Sequence, residues 1–375
     1  MFYNGLVRLD EKAQAQPELA ESFEASSDAK KWVFKLRKGI TFHDGSSLTT
    51  NDVIYSIMRH KDEKVASAAR TLAADIESVK ADGPDTIVVQ LSQPNADMGI
   101  ILGGFHFMIL KEGTTEFTTA IGTGPYKCKE FKPGIRVVGV RNENYFKNGR
   151  PYIDEIEHFG IGDPVARTNA LLSGDVQMIS DLRPNAMEDV KKAGMVVFST
   201  QCPRFIDFAM MCDRPPTANL DLRLAIKNLL DRERILNTIL KGQGVIANDH
   251  LVMPTSELYN TSLPQRKLDV DKAKFHLKKA GMENSRLEVH VTEAAPNSIE
   301  MGLQLQQDAA KAGLTIDLKR EPADGFWANI WMKRAMVAVS WNPRPTYNIM
   351  HTLMCRSDAK WNDTAFKNER LDMLI

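Results

Sequence analysis

Little in this chain commits it to chemistry. Cysteine is scarce, with Cys128, Cys202, Cys212 and Cys355 the only four in 375 residues. They form no Cys-x-x-Cys and have no histidine at ligand spacing, so neither a structural zinc nor a disulfide-stapled scaffold is expected. Cys202 and Cys212 flank the apolar run Phe205 to Met211; pairing in an oxidising compartment stands against two ordinary thiols there. Net charge is absent too, because 48 basic residues balance 48 acidic ones. That leaves no electrostatic pull toward nucleic acid or an anionic membrane. Long apolar runs are missing: Met98 to Leu110 is broken by Gly103, Gly104 and His106 and falls short of the roughly 20 residues of a spanning helix. The opening Met1-Phe-Tyr-Asn-Gly-Leu-Val-Arg8 shows no basic and then apolar leader, so no signal peptide is expected in this chain. Gly-x-Ser-x-Gly, His-Glu-x-x-His and a phosphate loop are lacking, and the eight histidines are scattered; the expectation is no enzyme, no cofactor and no metal site.

Patterned segments occupy the space those absences leave. Trp32, Phe34 and Leu36 alternate with Val33, Lys35 and Arg37, which predicts a half-buried strand, and Lys38-Gly39 and Asp44-Gly45 bracket a second short one. Thr49 or Thr50 is placed to cap a helix running from Asp52 to His60. Gly122-Thr-Gly-Pro-Tyr126 reads as a tight turn before two strands joined at Pro133-Gly134. It lacks the Gly-Lys-Ser/Thr of a nucleotide loop, and its proline removes an amide donor, so a phosphate cradle is not expected. Further along, Arg167 to Gly174 predicts a helix end with a glycine cap before a strand Val176 to Ile179, and Arg223 to Leu236 predicts an amphipathic helix. Gly242-Gln-Gly-Val-Ile-Ala247 has dinucleotide-loop letters but follows a helix, so it reads as a turn. Asp269 to Gly281 predicts a capped helix; Arg286 to Thr292, Ile299 to Gly313 and Leu314 to Lys319 then predict strand, helix and strand, a βαβ crossover.

Pro17 to Glu24, Trp32 to Gly45, Thr49 to Val53 and Gly122 to Phe146, in that order, resemble the extracytoplasmic solute-binding proteins of family 5, the peptide, nickel and opine type binding proteins of ABC importers. Arg223-Leu-Ala-Ile, Asp231-Arg-Glu233 and Asp269 to Gly281 extend the resemblance, with Gln177 standing where the family carries an acid. The resemblance implies an α/β, periplasmic-binding-protein-like (type II, cluster C) two-lobe clam with an extra domain. Residues 1–152 would hold the extra domain and the start of lobe 1, 153–262 lobe 1 with its hinge, and 263–375 lobe 2. Because the family has a strand ahead of Tyr3 to Val7 and more chain beyond Trp361 to Ile375, the expectation is a fragment incomplete at both termini. The implied partners are a small solute, peptide or opine-like, and an ABC permease with its ATPase; no nucleic acid partner and a monomer are expected. The implied location of the parent is the periplasm or the outer face of the membrane. A peptide-binding chaperone or receptor without transport is the alternative, and a hydrolase a more distant one.

Met336-Val-Ala-Val-Ser-Trp-Asn-Pro-Arg-Pro345 carries the candidate ligand site, because an apolar strand there delivers Ser340, Trp341 and Asn342 into a proline-bracketed loop. In peptide-binding relatives the tryptophan equivalent to Trp341 lines the cleft, and an acid three positions on pairs with the peptide amine. Here that position is Arg344. A guanidinium reverses the preferred ligand charge and favours a carboxylate, unless Arg344 turns away or pairs with an internal acid such as Asp324. Secondary candidates are His106, Phe107 and Tyr3.

Overall fold

Contacts within the chain separate two compact units, Met1–Gly160 and Ile161–Ile375. The computed structural model describes residues 1–11, 13–199, 204–254, 256 and 258–375. Cys202, and with it the expected pairing to Cys212, lies outside the described residues. No helix among the described residues is long and apolar enough to cross a membrane.

In the first unit, β1 (Val7–Leu9) pairs antiparallel with β2 (Ala15–Pro17). β3 (Ala20–Ala25), β4 (Lys31–Leu36), β5 (Ile76–Ala81) and β6 (Thr86–Leu91) make an antiparallel sheet in the order β3-β4-β6-β5. The alternation read in β4 sets its faces: Trp32, Phe34 and Leu36 are buried and Lys31 and Lys35 exposed, as the two-residue period of a strand requires. α1 (Thr50–Met58) starts where Thr49 donates both its amide and its hydroxyl to Asp52 Oδ2, each at 2.7 Å, while Asp52 Oδ1 accepts Glu112 N at 2.8 Å. α2 (Met98–Leu102) and the third sheet, β7 (Tyr126–Lys132), β8 (Arg136–Arg141) and β9 (Glu155–Phe159), complete this unit. The short strand expected after Lys38-Gly39 is only an isolated bridge from Thr41 to Ser47; with turns on both sides it has no length over which to build a ladder.

The second unit begins with α3 (Pro164–Ser173), closed by Gly174 at φ 84°, and α4 (Met187–Lys192). The strand expected at Val176 to Ile179 does not form: Val176 N returns to Ala170 O at 3.1 Å, and Met178 is exposed. Alternation makes a strand only where a neighbour completes its hydrogen bonds, and none does among the described residues. β10 (Phe205–Met210), α5 (Leu220–Leu229) and α6 (Arg232–Arg234) follow, the last running into a π turn, Ile235–Ile239. The single helix expected over Arg223 to Leu236 is thus split, because Asp231 accepts Arg234 N at 3.0 Å and caps a new start. α7 (Val270–Lys279) is capped by Asp269, which accepts Lys272 N at 2.8 Å. β11 (Arg286–Thr292), α8 (Ser298–Lys311) and β12 (Thr315–Glu321) form the expected parallel crossover. α9 (Phe326–Asn329), β13 (Met336–Trp341), α10 (Tyr347–Met354) and α11 (Glu369–Leu374) end the chain.

One sheet in the order β10-β13-β11-β12 organises this unit, with β10 antiparallel to β13 and the others parallel. β10, from the 153–262 segment expected in lobe 1, is therefore hydrogen-bonded to β13, a strand of 263–375. Met336 and Ala338 join Leu287, Val289 and Val291 in a core with residues of α5, α7 and α8, while Val337, Val339 and Trp341 pack on the opposite face with Phe326, Met350 and Met354. Helices on both faces account for the near-continuous apolar run of β13.

Candidate functional site

In open α/β sheets, ligands sit outside the carboxyl ends of the parallel strands. In the second unit those ends are Thr292, Glu321 and Trp341. Arg183 reaches the first of them: Nη1 is 3.1 Å from Asn297 Oδ1 and 3.5 Å from Glu300, and Nη2 pairs with Glu293. Those acids neutralise its charge locally.

The end of β13 is built differently. Ser340 lies opposite Ile206 and Trp341 opposite Phe205 in the β10 register. Trp341 is 5% exposed, and its indole N–H donates to Asp363 Oδ2 at 3.1 Å. The same oxygen accepts Trp331 Nε1 at 3.2 Å. Trp331, Trp341 and Trp361 pack mutually, with centroids 6.0, 6.5 and 6.1 Å apart and planes steeply inclined, the edge-to-face arrangement that indole quadrupoles favour. Asn342 is exposed, and Arg344 is half-buried, its Nη1 donating to the carbonyls of Asn342 and Pro343 at 3.2 Å. The guanidinium carbon stands 5.9 Å from the Trp361 ring centroid, a cation–π distance. Burial lowers the pKa of Arg344 from its ordinary value.

Beneath this edge lie two acids. Asp207 is on the face of β10 that carries Phe205 and Ala209, and Asp363 follows Trp361. Burial, then the Asp363 charge, raises Asp207 well above the usual carboxylate range; burial pushes Asp363 up to about 6 against the two indole hydrogen bonds. Cys355 is pushed up to about 11, by burial first and then by Asp363.

The other expected residues belong to the first unit. Phe107 is buried, tilted against His60 at 4.6 Å; His106 is half-buried and stacks on Phe105 at 4.0 Å. The half-buried Tyr3 has its phenol raised in pKa, by burial first. So the structure brings Ser340, Trp341, Asn342 and Arg344 together on one strand end, and places Tyr3, His106 and Phe107 in the separate unit.

The Gly-Thr-Gly-Pro turn has a clear structural use. A Cβ on Gly122 would stand 2.2 Å from Phe2 O, and one on Gly124 2.4 Å from Met1 O. His43 N donates to Gly122 O at 2.9 Å, and a His43 ring nitrogen lies 2.9 Å from Gly124 O. The glycines let residues 1–3 pass at backbone contact, and His43 binds the first sequence block to this second one. A shallow concavity of about 270 Å³ nearby is lined by Lys111, Gly113, Thr114, Thr115, Glu116, Thr119 and Ile121, and Lys111 is held by Asp44 at 2.7 Å. No three acids, histidines or cysteines converge as metal ligands among the described residues.

Asp207, Asp363, Trp331 and Trp361 escaped the sequence reading. One signal was present: four of the five tryptophans fall between Trp327 and Trp361.

Comparison with known proteins agrees with this architecture. The family described as bacterial extracellular solute-binding proteins, family 5, middle, matches residues 14–363. The chain is similar to the oligopeptide-binding protein AppA of Bacillus subtilis, 27% identical over 75% of this chain and 52% of that one. The AppA structure with a nonapeptide superposes at a TM-score of 0.89, with 20% identity over 99% of this chain and 80% of that chain. Heme-binding protein A of Haemophilus influenzae is 27% identical over 89% of this chain and 66% of its own length. The structure of AgaA from A. tumefaciens R10 with agropinic acid is 25% identical at a TM-score of 0.85, over 99% of this chain and 78% of that chain. The chain thus spans between half and two thirds of these curated relatives, and they are solute-binding proteins.

Proposed function

The chain belongs to family 5 of the bacterial extracellular solute-binding proteins, and from that premise we propose that its parent captures a small solute and delivers it to an ABC permease, without catalysing a reaction. The solute is a peptide or opine-like compound bearing an anionic group. The observation that carries this reading is Arg344: a half-buried guanidinium at the carboxyl end of β13, hydrogen-bonded to backbone carbonyls and seated by Trp361. A guanidinium there presents donors suited to a carboxylate, and desolvation strengthens the pairing. Asn342 adds an exposed polar side chain, Ser340 sits one residue inside the edge, and Trp341 serves as the apolar floor. AgaA, whose structure contains agropinic acid, and AppA, whose structure contains a nonapeptide, supply the two solute classes.

The reading places the parent outside the cytoplasmic membrane, with residues 1–152 as the extra domain and the start of one lobe. Tyr3 and His106, both half-buried, remain secondary candidates within the first unit, where Phe107 packs in the core. Native mass spectrometry of the parent, purified without denaturation, tests it. An acidic peptide or opine-like mass travelling with the protein is the expected result; a co-purifying metal or cationic solute contradicts the role of Arg344.

A further inference from the structure

Four tryptophans meet near the carboxyl end of β13. α9 follows the carboxyl end of β12 after a short loop, and β13 itself ends at Trp341, so both feed the edge where open α/β sheets take their ligands. Trp327 on α9 meets Trp331 edge-to-face at 5.6 Å, and Trp331 packs in turn on Trp341 at 6.0 Å and on Trp361 at 6.5 Å. The cluster is closed at one end and open at the other: Trp341 is buried, Trp331 and Trp361 are half-buried, and Trp327 is 42% exposed. A lone exposed indole is ordinary on a protein surface. Trp327 does not stand alone, because it continues a packed wall whose far border is the Arg344 guanidinium, 5.9 Å from the Trp361 ring. No step from Trp327 through Trp331 and Trp361 to Arg344 exceeds 6.5 Å, so the two ends lie within the reach of about five extended residues.

The wall is built before any solute arrives. Asp363 Oδ2 accepts the indole N–H of Trp331 at 3.2 Å and of Trp341 at 3.1 Å, and the Trp327 ring stands edge-on against the buried Phe326 at 5.2 Å. Rings fixed in this way spare a ligand the cost of ordering them. Their open surface offers a flat apolar group both contact area and the offset or edge-on geometry that aromatic rings favour. A cation is the other guest an indole face attracts, but Arg344 on the same wall repels one. An aromatic group on an anionic solute suits both ends.

We propose that the tryptophan wall from Trp327 to Trp361 is a specificity subsite, which takes an aromatic group of the solute whose carboxylate pairs with Arg344. The chain then prefers acidic solutes that carry an aromatic group, such as peptides with an aromatic residue near the carboxyl end, over aliphatic solutes of equal charge. Trp327 is the specificity-determining residue, because its ring is the most exposed of the four. The carboxylate end of this assignment rests on the reading above, whereas the wall rests on the ring geometry.

The test is calorimetric titration of the whole chain with N-acetylated alanine peptides of about five residues, whose only charge is the terminal carboxylate, and with the same peptides carrying one Phe at each position in turn. In the wild type, Phe at one position should tighten binding by about tenfold over the all-alanine peptide. Trp327→Ala should erase that difference, while Arg344→Ala should weaken both peptides and keep their ratio. A wild-type panel without a Phe preference, or a preference that survives Trp327→Ala, overturns the wall, and a loss in Arg344→Ala would then still support the carboxylate reading. A preference erased by Trp327→Ala beside an inert Arg344→Ala keeps the wall and removes Arg344. A panel in which no peptide binds overturns both. Should Trp327→Ala fail to fold, the wild-type panel decides, and Trp327→Leu, which keeps an apolar side chain without a ring, replaces it.

Discussion

Buried ionisable groups are held on two opposite terms, and Glu18 in the first unit and the acids Asp207 and Asp363 in the second show the contrast. In the first unit Glu18 is 4% exposed and surrounded by donors: Lys147 Nζ at 2.7 Å, Asn4 Nδ2 at 2.8 Å and Tyr145 OH at 3.4 Å, with Arg8 at 3.7 Å. In the second unit Asp207 and Asp363 have tryptophans and each other. A buried carboxylate wrapped in cations and donors is scaffold, because fixed partners match its charge. Buried acids that the described residues leave without a cation hold their protons above the usual carboxylate range. Burial alone therefore does not separate the two cases; the company of the acid does.

Titration should show this contrast most strongly. His60 in the first unit is lowered to about 4, by burial first and then by Arg59. A histidine with a depressed pKa keeps the folded unit from taking a proton that the unfolded chain accepts, so stability is lost as pH falls from about 6.5 to about 4, by roughly 3 kcal/mol at most. The acid pair has the reverse sign. Hydrogen exchange, corrected for the intrinsic rate, should show α1 gaining protection with rising pH and β10 losing it; parallel trends would erase the distinction.

A methyl group at the Gly-Thr-Gly-Pro turn should cost nearly as much. Gly122→Ala puts a Cβ against backbone that has no room for it, and a loss of about 3 kcal/mol in denaturant unfolding is expected. Lys147→Met should cost about 2 kcal/mol, because it leaves Glu18 buried without its nearest cation while Lys147 itself is partly solvated; Glu18→Gln in the same chain should recover part of that. Arg344→Ala should be the mildest for stability, within about 0.5 kcal/mol. It should still weaken an anionic solute by about tenfold or more in calorimetric titration, and an unchanged affinity would remove Arg344 from the site.

Patterns that are local were legible in the sequence. The faces of β4, the Asp269 cap of α7 and the Gly174 stop of α3 follow from side-chain period and capping chemistry within a few residues. The crossover from β11 to β12 was legible because strand, helix and strand leave few topologies. Val176 to Ile179 was misread because a strand depends on a neighbour, which its own residues do not encode. The Gly122 turn was legible as a turn, yet its purpose lies in residues 1–3 far back along the chain. Asp207 and Asp363 were beyond reach: one looks like an interruption in an apolar strand, the other like a loop acid, and only the β10-β13 pairing and the fold of the following loop join them. For the same reason the commitment of the Trp341 N–H to Asp363 and the burial of its ring were not legible in the sequence.

Carboxyl-carbon NMR of Asp207 and Asp363 in the wild-type chain bears most directly on the contrast between matched and unmatched buried acids. At about pH 6.5, where an ordinary carboxyl is fully ionised, one proton should remain on the pair, leaving at least one of the two carbons near its protonated shift. Two fully ionised carboxylates at that pH would contradict the account.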